Sequence, residues 1–497
     1  MLRWIWIAAA TPALLAQPSG IVDAAKAREE TRMVRQSLEQ GHPGLYDHIS
    51  KAALDSAFDR VERSFDKPTT AFEIYARLAP VVASIRCFHT SFLLPNSMWQ
   101  PSHRVFPFQI AVREGRLWFL RTHSGETAVP PGSEILSING VAAPALLAAM
   151  LPVVPVDGQS GAAAARLGQA FLFPKLLVDL CRIEAPYRIS YRAPGAKTAA
   201  TATAAGVARS DLRPPSPPAE ALRFLDGDRV AVLRTVALWS GVAKVHNEEL
   251  VVRVSRLWEK LKAKLGLPPD PPPPAFSERI GAAFDQIARK GSRALILDLR
   301  GDLGADDAGG AHLLAHLVDK PFVYYRDLLL NSIQPPFHGW ANPTPALPAH
   351  WFEGTPDGKW RYTASPGWGT HRPRQPRFAG PVFAVVDGTT ASGACEFLSA
   401  AVAAGRVTVV GSDTAGVYRG NSSGFSVRVP LPHSGVVLTV PMVAFRMAVD
   451  EKRDGNRPVT PAIPVEPTAG DLVRGVDPAM GRAVLAAREV ETKPRGE

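Results

Sequence analysis

Ser392 is the residue of this chain whose setting most resembles that of a nucleophile. It follows an apolar run, Val382 to Val386, and a turn, Asp387-Gly388-Thr389-Thr390, and it opens a small-residue run that continues through Ala404. Strand, turn and helix in that order place the hydroxyl at a helix N-terminus. Unpaired backbone N–H groups and the positive end of the helix dipole converge there, so an oxyanion forming beside Ser392 would meet donors already in place. Serine is also a favoured N-cap, which competes directly with the nucleophile reading. Other residue types suggest chemistry less strongly. His312 and His316 have the i, i+4 spacing of metal ligands, but no glutamate follows His312 and no third ligand is evident, so a metal site is not expected. Asp302, Asp306 and Asp307 read as loop solubility and helix capping. No cofactor is called for.

The elements that must position Ser392 follow from periodicity. Between Asp23 and Val82 apolar residues recur at helical spacing (Val34, Leu38, Leu45; Leu54, Phe58, Val61; Phe72, Tyr75, Leu78) with breaks at Gly41-His42-Pro43-Gly44 and Lys67-Pro68-Thr69, which predicts three amphipathic helices. Beyond Arg86-Cys87-Phe88-His89-Thr90-Ser91 the texture becomes strand-like over Phe106 to Val112, Leu117 to Thr122 and Glu134 to Ile138, the last closed by Asn139-Gly140. A second region begins near Arg223 with Val230 to Leu233. It continues with a helix around Val245 to Leu265, the proline spacer Pro268 to Pro274, a helix at Ser277 to Arg289 and a strand from Ala294. Strands alternating with helices predict an α/β layer with a largely parallel sheet. The Asn331 to Pro376 stretch reads as a long irregular insertion, a functional lid or an ordered surface loop.

In open α/β sheets, ligands gather beyond the carboxyl ends of the strands. Two such ends stand out: Asp298-Leu299-Arg300-Gly301-Asp302-Leu303-Gly304-Ala305, and the turn before Ser392. Three cysteines, Cys87, Cys181 and Cys395, are too few and too scattered for a disulfide framework and read as small buried hydrophobes. The net charge of +10 and pI near 9.6 invite a nucleic-acid reading, but Lys and Arg are dispersed, so no nucleic-acid partner is expected. Attraction to an anionic membrane surface is the weaker reading of that charge. The opening MLRWIWIAAATPALLAQ reads as a secretory signal peptide over 1–16 and so predicts export to a periplasmic or secreted location, with an uncleaved membrane anchor as the alternative.

Two resemblances sharpen these expectations. The run Pro131-Gly132-Ser133-Glu134-Ile135-Leu136-Ser137-Ile138-Asn139-Gly140-Val141 resembles a PDZ-domain segment, and that resemblance implies a module tethering an extended peptide by strand addition. The ordered set DLRGDLGA (298–305), TASGACEF (390–397) and VGSDTAG (410–416) resembles the carboxyl-terminal-processing, or tail-specific, serine peptidase family, which includes the tricorn protease core. Leu431-Pro432-His433-Ser434-Gly435 and Val459-Thr460-Pro461 add to the likeness. It implies an α/β fold made of a helical domain (21–95), a PDZ-like β-rich domain (101–207) and a crotonase-like or ClpP-like layered catalytic domain (219–488) carrying the insertion 331–376.

It further implies that Ser392 attacks a peptide carbonyl while Gly393 N–H and Gly304 N–H, from the Gly301 to Ala305 loop, hold the oxyanion. Val417 stands where the best-known branch carries a lysine, which excludes a Ser-Lys dyad at that position. The tricorn-like branch uses a histidine from the helical region, and His89 matches it; a neutral imidazole near pH 7 can take the serine proton. Glu451, Asp454 and Asn456 surround the position of the family's late glutamate, and the third member stays unassigned. Tyr418 and Arg419 are candidates for holding substrate, Arg419 by receiving a carboxylate. The expected partner is a peptide or protein substrate. A degenerate binding protein on the same scaffold, as among retinoid-binding relatives, is the alternative, and an α/β-hydrolase esterase is disfavoured because Ser392 lacks the G-x-S-x-G elbow.

Overall fold

The structure is a computed structural model describing residues 20–491, apart from 96–97, 124–126, 170, 213–220, 237–275, 305–307, 336, 338–346 and 451–454. The expected leader, the helix around Val245 to Leu265, the spacer Pro268 to Pro274, and Glu451 and Asp454 lie outside the described residues. The three amphipathic helices form as Ala24–Gly41, Lys51–Ser64 and Ala71–Ala83. Each starts where its sequence allows: Ser50 accepts the Ala53 N–H, and Thr70 with Glu73 closes a reciprocal capping box. Their apolar stripes meet, burying Val34, Leu38, Leu54, Phe58, Ile74 and Leu78.

A β-rich unit follows, with antiparallel strands in the order Phe108–Arg113, Arg116–Thr122, Glu134–Ile138, Tyr187–Arg192 and Ala200–Ala204. The Asn139-Gly140 pair turns with both residues at positive φ, 47° and 84°, as that dipeptide favours.

The centre of the molecule is a six-stranded sheet: Leu222–Leu225, Val230–Arg234, Ala294–Asp298, Val382–Val386, Thr408–Gly411 and Ile463–Pro464. Every neighbouring pair from the second strand onward is parallel. Ala294–Asp298 and Val382–Val386 are buried throughout, as strands covered on both faces must be. One face packs against Ala479, Met480, Ala483 and Ala487 of the helix Pro478–Glu491. The other meets Phe276–Lys290 and Gly393–Ala403 through Ile280, Phe284, Phe397 and Leu398.

Two smaller sheets fix the surroundings of the serine. Ser91–Leu93, beginning two residues after His89, pairs with Val437–Val440, which ties the end of the helical region to a late hairpin. The stretch expected to be an irregular insertion carries strands: Phe352–Gly354 and Trp360–Tyr362 extend a sheet through Tyr325–Leu330 to Val443–Met447 and Gly420–Ser423. Trp351, Phe352, Tyr362 and Phe425 cluster there, and burying those rings gives short strands a reason to form despite the density of proline and glycine around them.

Candidate active site

Ser392 sits at the junction of the buried strand Val382–Val386 and the helix Gly393–Ala403. The turn is held from below: Thr390 Oγ1 donates to the Leu299 carbonyl at 3.0 Å, and Ala391 N–H donates to the Asp302 carbonyl at 3.1 Å. Ser392 itself adopts φ 53°, ψ −132°, on the left-handed side that favours glycine, and its side chain makes no capping hydrogen bond. A side chain held in such backbone is aimed by the surrounding structure rather than by its own preference. The Oγ instead lies 2.9 Å from His89 Nε2. Residues 303 positions apart in sequence are thus within direct hydrogen-bond reach.

A chain of hydrogen bonds explains the meeting. Gly158 N–H donates to the Arg86 carbonyl at 2.9 Å, the Arg86 guanidinium donates to the Gly158 and Ser160 carbonyls, and Phe88 N–H donates to Asp157 Oδ1 at 2.8 Å. The 157–160 loop is anchored in turn to the VGSDTAG loop: Asp157 N–H donates to the Ala415 carbonyl at 3.0 Å and Ser160 Oγ to the Thr414 carbonyl at 2.6 Å. Ala415 N–H closes the path by donating to the Thr390 carbonyl at 2.9 Å, two residues before the serine. Burial holds the His89 imidazole well below its ordinary value, at about 4, with the Arg166 charge adding to the effect. The ring is therefore neutral at pH 7, the form in which Nε2 accepts a proton.

The glycine loop faces the serine helix closely. Gly304, at φ +70°, lies so near Gly393 that a Cβ on Gly304 would approach Gly393 Cα to 2.7 Å. Both expected oxyanion donors are engaged here: Gly393 N–H donates to the Leu303 carbonyl at 3.0 Å, and Gly304 N–H donates to Asp302 Oδ1 at 2.7 Å. Asp302 is buried and also bonds Thr235 through Oδ2, so it pins the loop. Asp298 and Arg300 of the same motif form an ion-pair cluster with Arg234 and Asp477 beside the sheet end.

The other candidates are placed as follows. Tyr418 is 4% exposed and its N–H bonds the Arg457 carbonyl. Arg419 donates to Asn456 Oδ1 at 3.0 Å and lies 3.8 Å from Asp47, within a polar network rather than at an open surface. His316 Nδ1 is 2.9 Å from the Pro376 carbonyl and the ring stacks on Phe284, a structural role, while His312 lies in the helix Gly309–Ala315. Cys395 is buried, with its Sγ bonded to the Thr390 carbonyl at 3.3 Å. Asp157 and the loop around it escaped the sequence reading: an Asp-Gly pair in a loop carries no motif, and only the fold brings it beside Phe88. An open groove of about 820 Å³ runs beside this assembly, lined by His48, Arg86, Gly158, Gln159 and Asn456 among others.

Residues 273–465 match the model of peptidase family S41. No curated protein matches the chain. Among solved structures, mature CPAF aligns over 95% of this chain and 99% of its own, at 14% identity and a TM-score of 0.62. Mature CPAF complexed with lactacystin aligns over 94% and 98%, at 13% identity and 0.61. At these identities the likeness is one of fold, and it runs nearly end to end in both partners.

Proposed function

We propose that this chain, which through residues 273–465 belongs to peptidase family S41 and is by that membership a serine peptidase, is exported and cleaves extended or carboxyl-terminal peptide segments through an acyl-enzyme on Ser392. The observation that carries the assignment of the nucleophile is the 2.9 Å contact between Ser392 Oγ and His89 Nε2, made by a hydroxyl that does not cap its own helix. In this reading Oγ attacks the scissile carbonyl while its proton passes to Nε2, and the imidazolium returns that proton to the departing amine. A water then repeats the sequence to release the acid and restore the serine.

The tetrahedral oxyanion needs donors, and the Gly393 and Gly304 amides are occupied at rest. We assign them the role nonetheless, because rotating the Leu303–Gly304 peptide breaks both bonds, withdrawing the Leu303 carbonyl from the Gly393 N–H and the Gly304 N–H from Asp302 Oδ1. The groove lined by His48, Arg86 and Gly158 is large enough for several residues of extended peptide, and the antiparallel unit of 101–207, PDZ-like in sequence, offers a place to tether the rest of the chain. Export rests on the signal-like opening residues; N-terminal sequencing of protein recovered from a periplasmic or culture fraction tests it. The catalytic reading is tested with a fluorophosphonate probe: labelling at Ser392, absent in Ser392→Ala, is expected. A wild-type protein that folds and resists labelling would instead point to a binding protein on this scaffold.

A further inference from the structure

A base that takes a proton on Nε2 must hold another on Nδ1, and the group that receives the Nδ1–H fixes both the tautomer and the orientation of the ring. His89 Nδ1 is buried and has no hydrogen-bond partner among the described residues. Asp157 Oδ2 is in the same condition. A ring nitrogen of His89, a carboxylate oxygen of Asp157 and Cys87 Sγ all lie within 4.8 Å of one another. Two hydrogen bonds of about 3.0 Å meeting at one water span about 4.9 Å, so a separation within that bound is in direct or singly bridged reach.

Resting on the peptidase reading above, we propose that Asp157 is the positioning carboxylate of His89. It takes the Nδ1–H hydrogen bond directly or through one water, so that Ser392, His89 and Asp157 act together from three separate segments of the chain.

The surroundings favour this assignment. Asp157 is not free to swing: its Oδ1 accepts the N–H of Phe88, the residue before His89, and its own N–H is bonded to Ala415. That anchoring leaves Oδ2 as the oxygen with capacity to spare. Cys87 offers no alternative acceptor, since its S–H donates to the Ser422 carbonyl at 3.4 Å and burial pushes the thiol up to about 12. Among the described residues the competitor for the His89 ring is the Ser422 carbonyl, which already takes the Cys87 S–H.

The charged groups facing the pair are Arg166, whose guanidinium lies over the Phe88 ring at 3.8 Å, Arg86, and Glu396 of the serine helix. Both arginines donate to main-chain carbonyls of the Asp157 loop, at Pro155, Gly158 and Ser160. Burial dominates and pushes the Asp157 carboxyl up to about 7. Ionised Asp157 would stabilise the imidazolium as it forms, without ceasing to be a carboxylate.

The test is Asp157→Asn, whose amide oxygen can still accept the Phe88 N–H while the carboxylate is lost. Peptide turnover and fluorophosphonate labelling of Ser392 are measured against pH for this variant and for wild type, with thermal melts confirming the fold. We expect kcat and the labelling rate to fall about 10²- to 10⁴-fold with KM little changed, and the acid limb of the profile to move to lower pH. Asp157→Glu, which keeps the charge, should retain more activity than Asp157→Asn, and this comparison decides the matter should the amide variant melt early. Wild-type rates and an unmoved profile in Asp157→Asn, or equal losses in the two variants, overturn the proposal and leave Ser422 as the orienting group, with the peptidase reading intact. A wild-type chain that cannot be labelled at Ser392 overturns both.

Discussion

Ser392 Oγ had a conventional partner available in the first turn of its own helix and does not use it; it lies against His89 Nε2 instead. Ser392→Ala is therefore expected to abolish peptide cleavage and leave the melting temperature nearly unchanged, because no cap is lost. His89→Gln should reduce kcat by at least about 10³-fold. Because burial holds the His89 imidazole at about 4, the base stays unprotonated below the ordinary imidazole range. With Asp157 pushed up to about 7 and acting as a carboxylate, the acid limb of the wild-type kcat/KM profile should lie near pH 7 and recede toward the lower range of the ring in Asp157→Asn; a wild-type limb that stays well below pH 6.5 would show that ionised Asp157 is not needed. At this scale the sequence was legible where a residue sat inside an ordered motif. Ser392 and His89 could be proposed from their neighbours and lie 2.9 Å apart in the fold, whereas Asp157 could not be proposed, because its place beside Phe88 depends on a loop folded against Arg86. Adjacency to a motif suggested substrate contact for Tyr418 and Arg419; Tyr418 is buried and Arg419 donates to Asn456.

The element that aims the serine is the strand–turn–helix of Val382 to Ala403, clamped against the 298–304 loop. Gly304 carries that clamp, since its positive φ and its approach to Gly393 leave no room for a side chain. Gly304→Ala should cost roughly 1–3 kcal/mol of stability by analogy with other strained backbone positions, and it should slow fluorophosphonate labelling more than it lowers substrate affinity. Thermal melts and labelling rates on the purified variant check both; an unperturbed variant would mean that the loop is slack and the close packing unimportant. Strands Glu134–Ile138 and Val382–Val386 were readable to the residue, because unbroken or alternating apolar runs bounded by turn signals leave little freedom. The strands inside 331–376 were not readable. They are two to three residues long, and their stability comes from partners such as Arg361 with Asp327 and the ring cluster around Phe425, which no local pattern announces.

Across the whole molecule, the helical region, the 157–160 loop and the parallel sheet contribute to one site only while they stay docked, so protonation of buried groups at their junctions should be felt as stability. His42, His48 and His89 are each pulled down to about 4, chiefly by burial, whereas Asp157 is pushed up to about 7 by the same cause. Between about pH 4 and 6.5 the unfolded chain binds three protons on those histidines that the folded chain refuses. The folded chain keeps one on Asp157 that the unfolded chain has released. The net of two favours unfolding as pH falls, so the melting temperature should drop from pH 6.5 toward 4, and replacing His42 with a neutral, similarly shaped residue should shrink the drop. A melting temperature flat across that window would mean that these rings titrate normally. The docking itself was only partly legible. Element types along the chain followed from periodicity, but their assembly depends on long-range pairings such as Ser91 with Thr439, for which one sequence holds no signal. The most direct test of the central claim is the pH-dependent rate at which a fluorophosphonate labels the chain, with the modified residue located by mass spectrometry. The account predicts modification confined to Ser392 and slowed by orders of magnitude in His89→Gln; equal labelling of wild type and His89→Gln, or a modified residue elsewhere, would contradict it.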